Sequence, residues 1–462
     1  MQLNHRFWFN RTNDKLDTER DANDALCSFM PSHVRNVGQE EQPEVSFVVL
    51  RWGGYGRVEA VVEGDGGWGT TGSVASDTYI GQFFGPQGIG KHLGTNYEAL
   101  TCWVSSSEDL VRLSQMAPLL QSRLNGKRKA CLCFLWPVEW QDTNNPHYAG
   151  YVEKNKLVQC LHSFETSSVP IRFPHNHNLY AVLGAKDWAA HLCLHPRLNV
   201  PCTTKVSRQL VLQDPKRAAR EALHALRTLK KNKMHWEGKD PNGPEAEVKA
   251  GVVKLGWSWE ATDVWKWRDE ESLADQLTIS VTQVHNQSAT VFVQDWIDMD
   301  FEMRLFAVNT PPDLEPGQLV KPAHYIYNRW NRIDSEGKPR EFEKLNRERI
   351  VKEVWVGDEA AMRSAEEQTA RIMNDLLVWL RGEHAEPPVI MRFDFMVKRT
   401  APGQVSVATG EMTELGACML GWKEGPDTLW KAVVQSCLRD GSSGLESKKI
   451  ADTPMSHVNG RQ

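Results

Sequence analysis

Arg392 and Asp394 stand two residues apart in Val389–Val397, VIMRFDFMV. In a strand, side chains alternate between faces with a period of two. Met391, Phe393, Phe395 and Val397 then share an apolar face, and Ile390, Arg392, Asp394 and Met396 share the other. Charges on such a strand need partners. Downstream, Gln404–Met412 reads as a return strand carrying Glu411, with Glu414 close behind. A hairpin would set Asp394 beside one of these carboxylates. Two adjacent carboxylates repel unless a cation lies between them, and hard oxygen ligands suit Mg²⁺. Arg392 alongside suits phosphate oxygens. The alternative reading of the same residues is a buried Arg–Asp ion pair between sheet neighbours.

Other candidates are more isolated. Lys254 ends a strand, Gly251–Leu255, just before Gly256, where its point charge suits phosphate. The bland reading of that residue is a snorkelling surface lysine. His175 and His177 lie in a loop rich in Pro and Asn. Nothing nearby completes a metal set, so they read as hydrogen-bonding loop histidines. FGPQGIGKHLG lacks the order of a phosphate loop, since Lys91 is followed by His92 rather than Ser or Thr. It reads as a turn-rich loop.

The elements that must position these residues form a mixed α/β chain. Val45–Leu50 and Ala130–Leu135 read as apolar strands, and Ser107–Leu124 and Val152–Phe164 as helices, which suggests a small α/β layer. Asp214-Pro215 starts a helix, with Asp as N-cap and Pro at N1. Asp269–Leu277 is a short helix, and Thr290–Ile297 and Glu302–Val308 are strands. Residues 309–350 read as loop. Asp358–Arg381 is the longest helix, with Met362, Ala365, Ile372, Leu376 and Leu380 as its apolar stripe and Gly382 as its stop. Asp427–Asp440 is the last helix. The polar residues 1–45 read as an arm and 441–462 as a disordered tail.

Composition bounds the function classes. The 462 residues exceed one ordinary core. The net charge of −5 gives no reason to expect nucleic acid or an anionic membrane as a partner. No apolar run is long enough for a membrane helix, and the first residues lack the apolar stretch of a secretory signal. The nine cysteines are scattered. They read as reduced core thiols, so a cytoplasmic location is expected.

Taken in order, the motifs from about 175 to 422 resemble the ATP-grasp superfamily, which includes D-alanine–D-alanine ligase and glutathione synthetase. The resemblance implies a mixed α+β fold in which two α+β lobes clasp ATP, preceded by an N-terminal α/β domain. The corresponding segments are 46–185, 186–293 for the central lobe and 294–440 for the C-terminal lobe. Lys186, in GAKDW ahead of VPCTT, resembles the first nucleotide lysine, and Lys254, in VVKLG, resembles the second. The next loop, GWSWEATD, has one Gly and two Trp where Gly is usually abundant. VFVQDWIDMDFEMR resembles the hinge strand and its acidic turn. Backbone groups of Trp296 and Ile297 would face the adenine edge, with Gln294 at a position often Glu. Glu302 would hold the ribose hydroxyls, and Arg304 would face phosphates or substrate. MRFDFMV resembles the strand that sets Arg392 on the γ-phosphate and Asp394 on Mg²⁺. GEMTELG resembles the closing motif, with Glu411 as bridging Mg²⁺ ligand, Glu414 as its alternative, and Thr413 where Asn is usual.

The function that this resemblance implies is an ATP- and Mg²⁺-dependent ligase. It would activate a small-molecule carboxylate as an acyl phosphate for attack by an amine or other nucleophile, with an amino acid or peptide among the candidate substrates. Two alternatives stay open: an ATP-grasp small-molecule kinase, and a non-catalytic nucleotide-binding or scaffold protein.

Overall fold

The computed structural model describes residues 33–35, 44–52, 92–94, 97–104, 106–124, 128–133, 135, 152–183, 186–256, 264–283, 288–308, 319–333, 339–384, 388–413 and 422–439. Glu414, the Gly-rich stretch before His92, the arm before His33 and the segment after Arg439 lie outside these residues, as does most of GWSWEATD.

Three sheets organise the described residues. The first contains β1 (His33–Arg35), β2 (Val45–Trp52), β3 (Tyr97–Val104), β4 (Arg128–Cys133) and β5 (Ile171–Phe173), in the spatial order β1-β3-β2-β4-β5. β2 runs parallel to β3 and β4, and β1 is an antiparallel edge. Val45 and Phe47–Leu50 are fully buried, as a central parallel strand covered on both faces requires. The helices of this layer are α1 (Ser107–Arg123) and α2 (Lys154–Thr166), and α1 opens on a reciprocal Ser106–Asp109 capping box.

Two short helices, α3 (His177–Leu183) and α4 (Asp187–Leu192), lead into a second unit. It holds β6 (Thr203–Ser207), α5 (Arg208–Gln213), α6 (Pro215–Trp236), β7 (Gly251–Leu255), β8 (Val264–Trp267), α7 (Glu270–Thr282) and β9 (Thr290–Asp295). Its strands form an antiparallel sheet in the order β6-β9-β7-β8, and α6 and α7 pack on it. Asp214 caps α6 with Pro at the first turn, as its sequence predicts, and Asp269 caps α7. Gly251 is where this sheet closes tightest: a Cβ there would run into the Gln294 carbonyl oxygen and the Trp267 ring.

The third unit is antiparallel throughout: β10 (Phe301–Val308), β11 (His324–Ile333), β12 (Pro339–Leu345), β13 (Ile390–Ala401) and β14 (Gln404–Thr413), ordered β12-β11-β10-β13-β14. Helix α8 (Glu359–His384) covers one face. Its stripe of Met362, Ala365, Ile372, Leu376 and Leu380 is buried against Met391, Phe393, Phe395 and Val397, the face assigned to the core from sequence. A last helix, α9 (Gly425–Leu438), packs back on β4 and β5 of the first sheet.

Two expectations need correction. Residues 309–350, read as loop, contain β11 and β12. On β11 the polar Asn328 is buried beside Glu302, on the same face as the buried Ile326, so the usual alternation of apolar and polar positions is missing. Gly382 does not end α8, which continues to His384. A single Gly costs a helix only about 1 kcal/mol, and the packed stripe upstream outweighs that. No helix among the described residues is long and apolar enough to cross a membrane.

Candidate active site

The face of the third sheet opposite α8 presents three successive rows of side chains. Pairing sets Asn328, Glu302 and Met396 side by side on β11, β10 and β13. Two residues along come Ile326, Arg304, Asp394 and, on β14, Glu411. Two further come His324, Phe306, Arg392 and Thr413. Asp394 and Glu411 are thus direct partners on adjacent antiparallel strands. The ladder shifts between Asp394 and Phe395, where Gly410 is the extra residue. This bulge delivers Glu411 to the same row as Asp394. A Cβ on Gly410 would lie 3.2 Å from the Asp394 carbonyl oxygen, which explains the Gly there.

Nearly every charge on this face has an opposite partner. Arg392 donates from Nε to Asp394 Oδ1 at 2.8 Å and from Nη2 to Oδ2 at 2.9 Å. The same Nη2 lies 3.6 Å from Glu411 Oε2 and 3.4 Å from Thr413 Oγ1. Arg304 Nε donates to Glu302 Oε1 at 2.6 Å and lies 3.6 Å from Asp394 Oδ2. Asn328 Nδ2 donates to that Glu302 oxygen at 3.2 Å. Lys186 caps α4 in the left-handed region, at φ +50°, and reaches across to Glu411 Oε1 at 3.1 Å.

The second sheet supplies Lys254. Its Nζ donates to Gln294 Oε1 at 2.7 Å. Gln294 Nε2 donates in turn to Thr203 Oγ1 at 2.9 Å, and Thr203 donates to the Pro201 carbonyl at 2.9 Å. The chain fixes which end of the Gln294 amide meets the lysine. A neutral amide leaves the lysine's charge uncompensated. Burial and the Lys186 ammonium push Lys254 down to about 8, against the pull of Glu411 and Glu302. Burial raises Asp394 above the usual carboxylate range, against Arg392 and Arg304. Burial works the same way on Glu411, but Lys186 and Arg392 outweigh it and hold that carboxyl low.

Lys186 at the α4 cap and Lys254, Glu302, Arg304, Arg392, Asp394 and Glu411 of the second and third sheets lie close enough to act on one another's charge, and Gln294 holds Lys254. Trp296 and Ile297 follow β9 at the crossing between the sheets. The Trp296 N–H donates to the Ala250 carbonyl at 3.0 Å. The Trp296 indole donates to Asp298 at 2.8 Å, and the Lys266 ammonium sits 3.6 Å over its ring. His175 Nδ1 pairs with the Asn176 carbonyl oxygen at 3.1 Å, and His177, read as a loop residue, opens α3 and is taken by Glu165. Sequence reading missed Asn328 and the Gly410 bulge. Thr203 was visible only as part of VPCTT.

Among the described residues no group of three or more His, Cys, Asp or Glu side chains is placed to hold a metal ion. Asp394 and Glu411 are a two-carboxylate set. That fits Mg²⁺, which keeps several waters and takes one or two carboxylates together with substrate phosphates. It does not fit a cation caged by protein alone.

No protein-family model matches the chain, and no curated protein matches it. Among solved structures it is similar to D-cycloserine synthetase DcsG, at 14% identity and TM-score 0.46 over 85% of this chain and 99% of that one. It is similar to D-alanine–D-alanine ligase from Bacillus anthracis at 11% identity and TM-score 0.46, covering 86% and 98%. D-alanyl-alanine synthetase A from Vibrio cholerae O1 biovar eltor matches at 10% identity and TM-score 0.45, covering 86% and 100%. At these scores the global likeness carries no argument by itself. The chain's own elements give a parallel-sheet unit followed by two α+β units, the order that the resemblance to the ATP-grasp superfamily implies.

Proposed function

We propose that this protein is an ATP- and Mg²⁺-dependent ligase that activates a carboxylate as an acyl phosphate for attack by an amine. One observation carries the reading: Lys186, Lys254 and Arg392, from three separate chain segments, come within electrostatic reach of the strand-paired carboxylates Asp394 and Glu411. Phosphoryl transfer asks for positioned cations around the phosphates and the acceptor oxygen, and little else. In this reading Lys186 and Lys254 hold phosphates, and Arg392 and Arg304 face the transferred group and the substrate. Gln294, Trp296 and Ile297 line the base side, and Glu302 takes the ribose hydroxyls. Asp394 and Glu411, with Glu414 as the further candidate, would hold Mg²⁺, which neutralises phosphate charge.

The chemistry runs in two displacements. A carboxylate oxygen of the substrate attacks the γ-phosphorus, and the bond from that phosphorus to the ADP oxygen breaks. The amine nitrogen then attacks the acyl carbon, the carbon–oxygen bond to phosphate breaks, and the nitrogen loses a proton. The acyl phosphate needs shielding from water, which a cleft between two units provides. The test is ATP turnover with Mg²⁺ against a panel of amino acids and short peptides. ADP and phosphate should form when a carboxylate and an amine are both present. A product carrying phosphate on a hydroxyl, with no free phosphate, would favour a kinase. ATP binding without turnover would favour a non-catalytic protein.

A further inference from the structure

The segment that leads from α4 into the second unit runs along the outer edge of β14, the last strand of its sheet. Asn199 lies there in the left-handed region, at φ +49°. Its Nδ2 donates to the Val407 carbonyl at 3.1 Å, and its own carbonyl accepts from Thr409 N at 2.9 Å. Thr409 Oγ1 donates to the Leu198 carbonyl at 2.6 Å, and Thr409 is fully buried. An edge strand would otherwise leave these backbone groups without ladder partners.

The clamp sits beside the bulge. Thr409 pairs with Phe395 on β13, Glu411 pairs with Asp394, and Gly410 between them has no partner in the ladder. Thr409 is therefore the last residue before Glu411 that is held from both sides. The far end of the same crossing belongs to the second unit. Lys233 of α6 donates to the Val200 carbonyl at 2.7 Å, and Asp295 N donates to the Cys202 carbonyl at 3.0 Å.

We propose that the Asn199–Thr409 clamp is a positioning device that ties the Gly410 bulge, and through it the Glu411 carboxylate, to the crossing that carries the second unit. Cation binding at Glu411 and nucleotide binding against the second unit are then coupled through these hydrogen bonds. The inference rests on reading Glu411 as a cation ligand. Thr409 and Asn199 act through Glu411 and are positioning residues.

The test uses the intact protein and Mn²⁺ as probe, titrated calorimetrically with and without saturating ADP, alongside thermal melts. The native protein should bind Mn²⁺ more tightly with ADP. Thr409→Val keeps the shape but loses the hydroxyl, and should cut that gain by about tenfold, the scale of lost outer-shell support at metal sites. Thr409→Ser restores the donor and should restore the gain. Asn199→Gly keeps access to the left-handed backbone, drops the side-chain bond, and should behave like Thr409→Val. It also decides the matter if Thr409→Val fails to fold. An unchanged gain in Thr409→Val or Asn199→Gly, with Mn²⁺ binding lost in Glu411→Gln, would overturn the clamp and leave the ligand reading intact. An equal loss in Thr409→Ser and Thr409→Val would overturn the role of the hydroxyl. Native-like Mn²⁺ binding in Glu411→Gln would overturn both.

Discussion

Lys254 and Gln294 give the most specific expectation at the scale of single residues. The ammonium form holds phosphate, and Lys254 sits at about 8. Nucleotide affinity should be flat with respect to this group below that pH and fall above it, as the lysine loses its proton. Gln294→Glu places a carboxylate where the amide oxygen now accepts from Lys254 Nζ at 2.7 Å. It raises the lysine's pKa and should move the fall to higher pH, readable by calorimetric ADP titration at several pH values. Lys254→Ala should weaken nucleotide binding with little change in melting temperature. The ion pairs carry a second expectation. Lys186 is on Glu411 and Arg392 is on Asp394. Nucleotide and Mg²⁺ together can exchange these pairs for phosphate–cation and carboxylate–metal contacts, whereas either alone strands one member. Binding should be positively coupled, by about 1–3 kcal/mol if ordinary for linked sites, measured as the change in ADP affinity on adding Mg²⁺. Removing one side of the buried Arg392–Asp394 pair is expected to cost stability as well, on the order of 3–5 kcal/mol. Arg392→Lys, which keeps the charge and loses the fork, is the cleaner probe of turnover.

At the scale of elements, the residues that bury a stripe or start a helix were legible and those that depend on a neighbouring strand were not. The α8 stripe, the Asp214-Pro215 start and the two faces of β13 follow from local periodicity and capping. Leu376→Ala, in the middle of that stripe and fully buried, should cost about 2–5 kcal/mol in denaturant unfolding. β6 and β11 escape a local reading because their residues answer to partner strands elsewhere in the chain. Asn328 is polar because Glu302 lies opposite, and Thr203 because Gln294 does. The Gly410 bulge leaves no periodic trace at all. Asp358 shows the same dependence. It accepts from Ala361 N at the start of α8, from Gly403 N in the β13–β14 turn and from Arg399 Nε. Its hydrogen bonds to Gly403 and Ala361, then the Arg399 guanidinium, overcome the effect of burial and hold its carboxyl at about 2. The folded pKa is depressed, so this contribution to stability is full above the ordinary 3.8 and disappears as pH falls toward about 2. Asp358→Asn should flatten the stability profile in that window, seen in urea midpoints.

The described residues form three buried cores, and their sharing says what moves together. Phe306, Ile326 and Ile390 of the third sheet belong to the core of the first unit, together with Trp422 and Trp430. The second unit has a core of its own, and the partly buried Leu229 packs against both it and the core under α8. The first and third units should therefore behave as one body, with the second closing on them. Hydrogen exchange with ADP and Mg²⁺ should slow in β6, β7 and β9 and stay unchanged in β2 and β4. The central claim concerns what the closed cleft does, and the phosphate released reports it most directly. Turnover of ATP with a panel of amino acids and peptides labelled with oxygen-18 in the carboxyl group should yield inorganic phosphate that carries one labelled oxygen. That atom can arrive only through an acyl phosphate. Phosphate released without the label, during turnover that consumes the labelled carboxylate, would contradict carboxylate activation by this site.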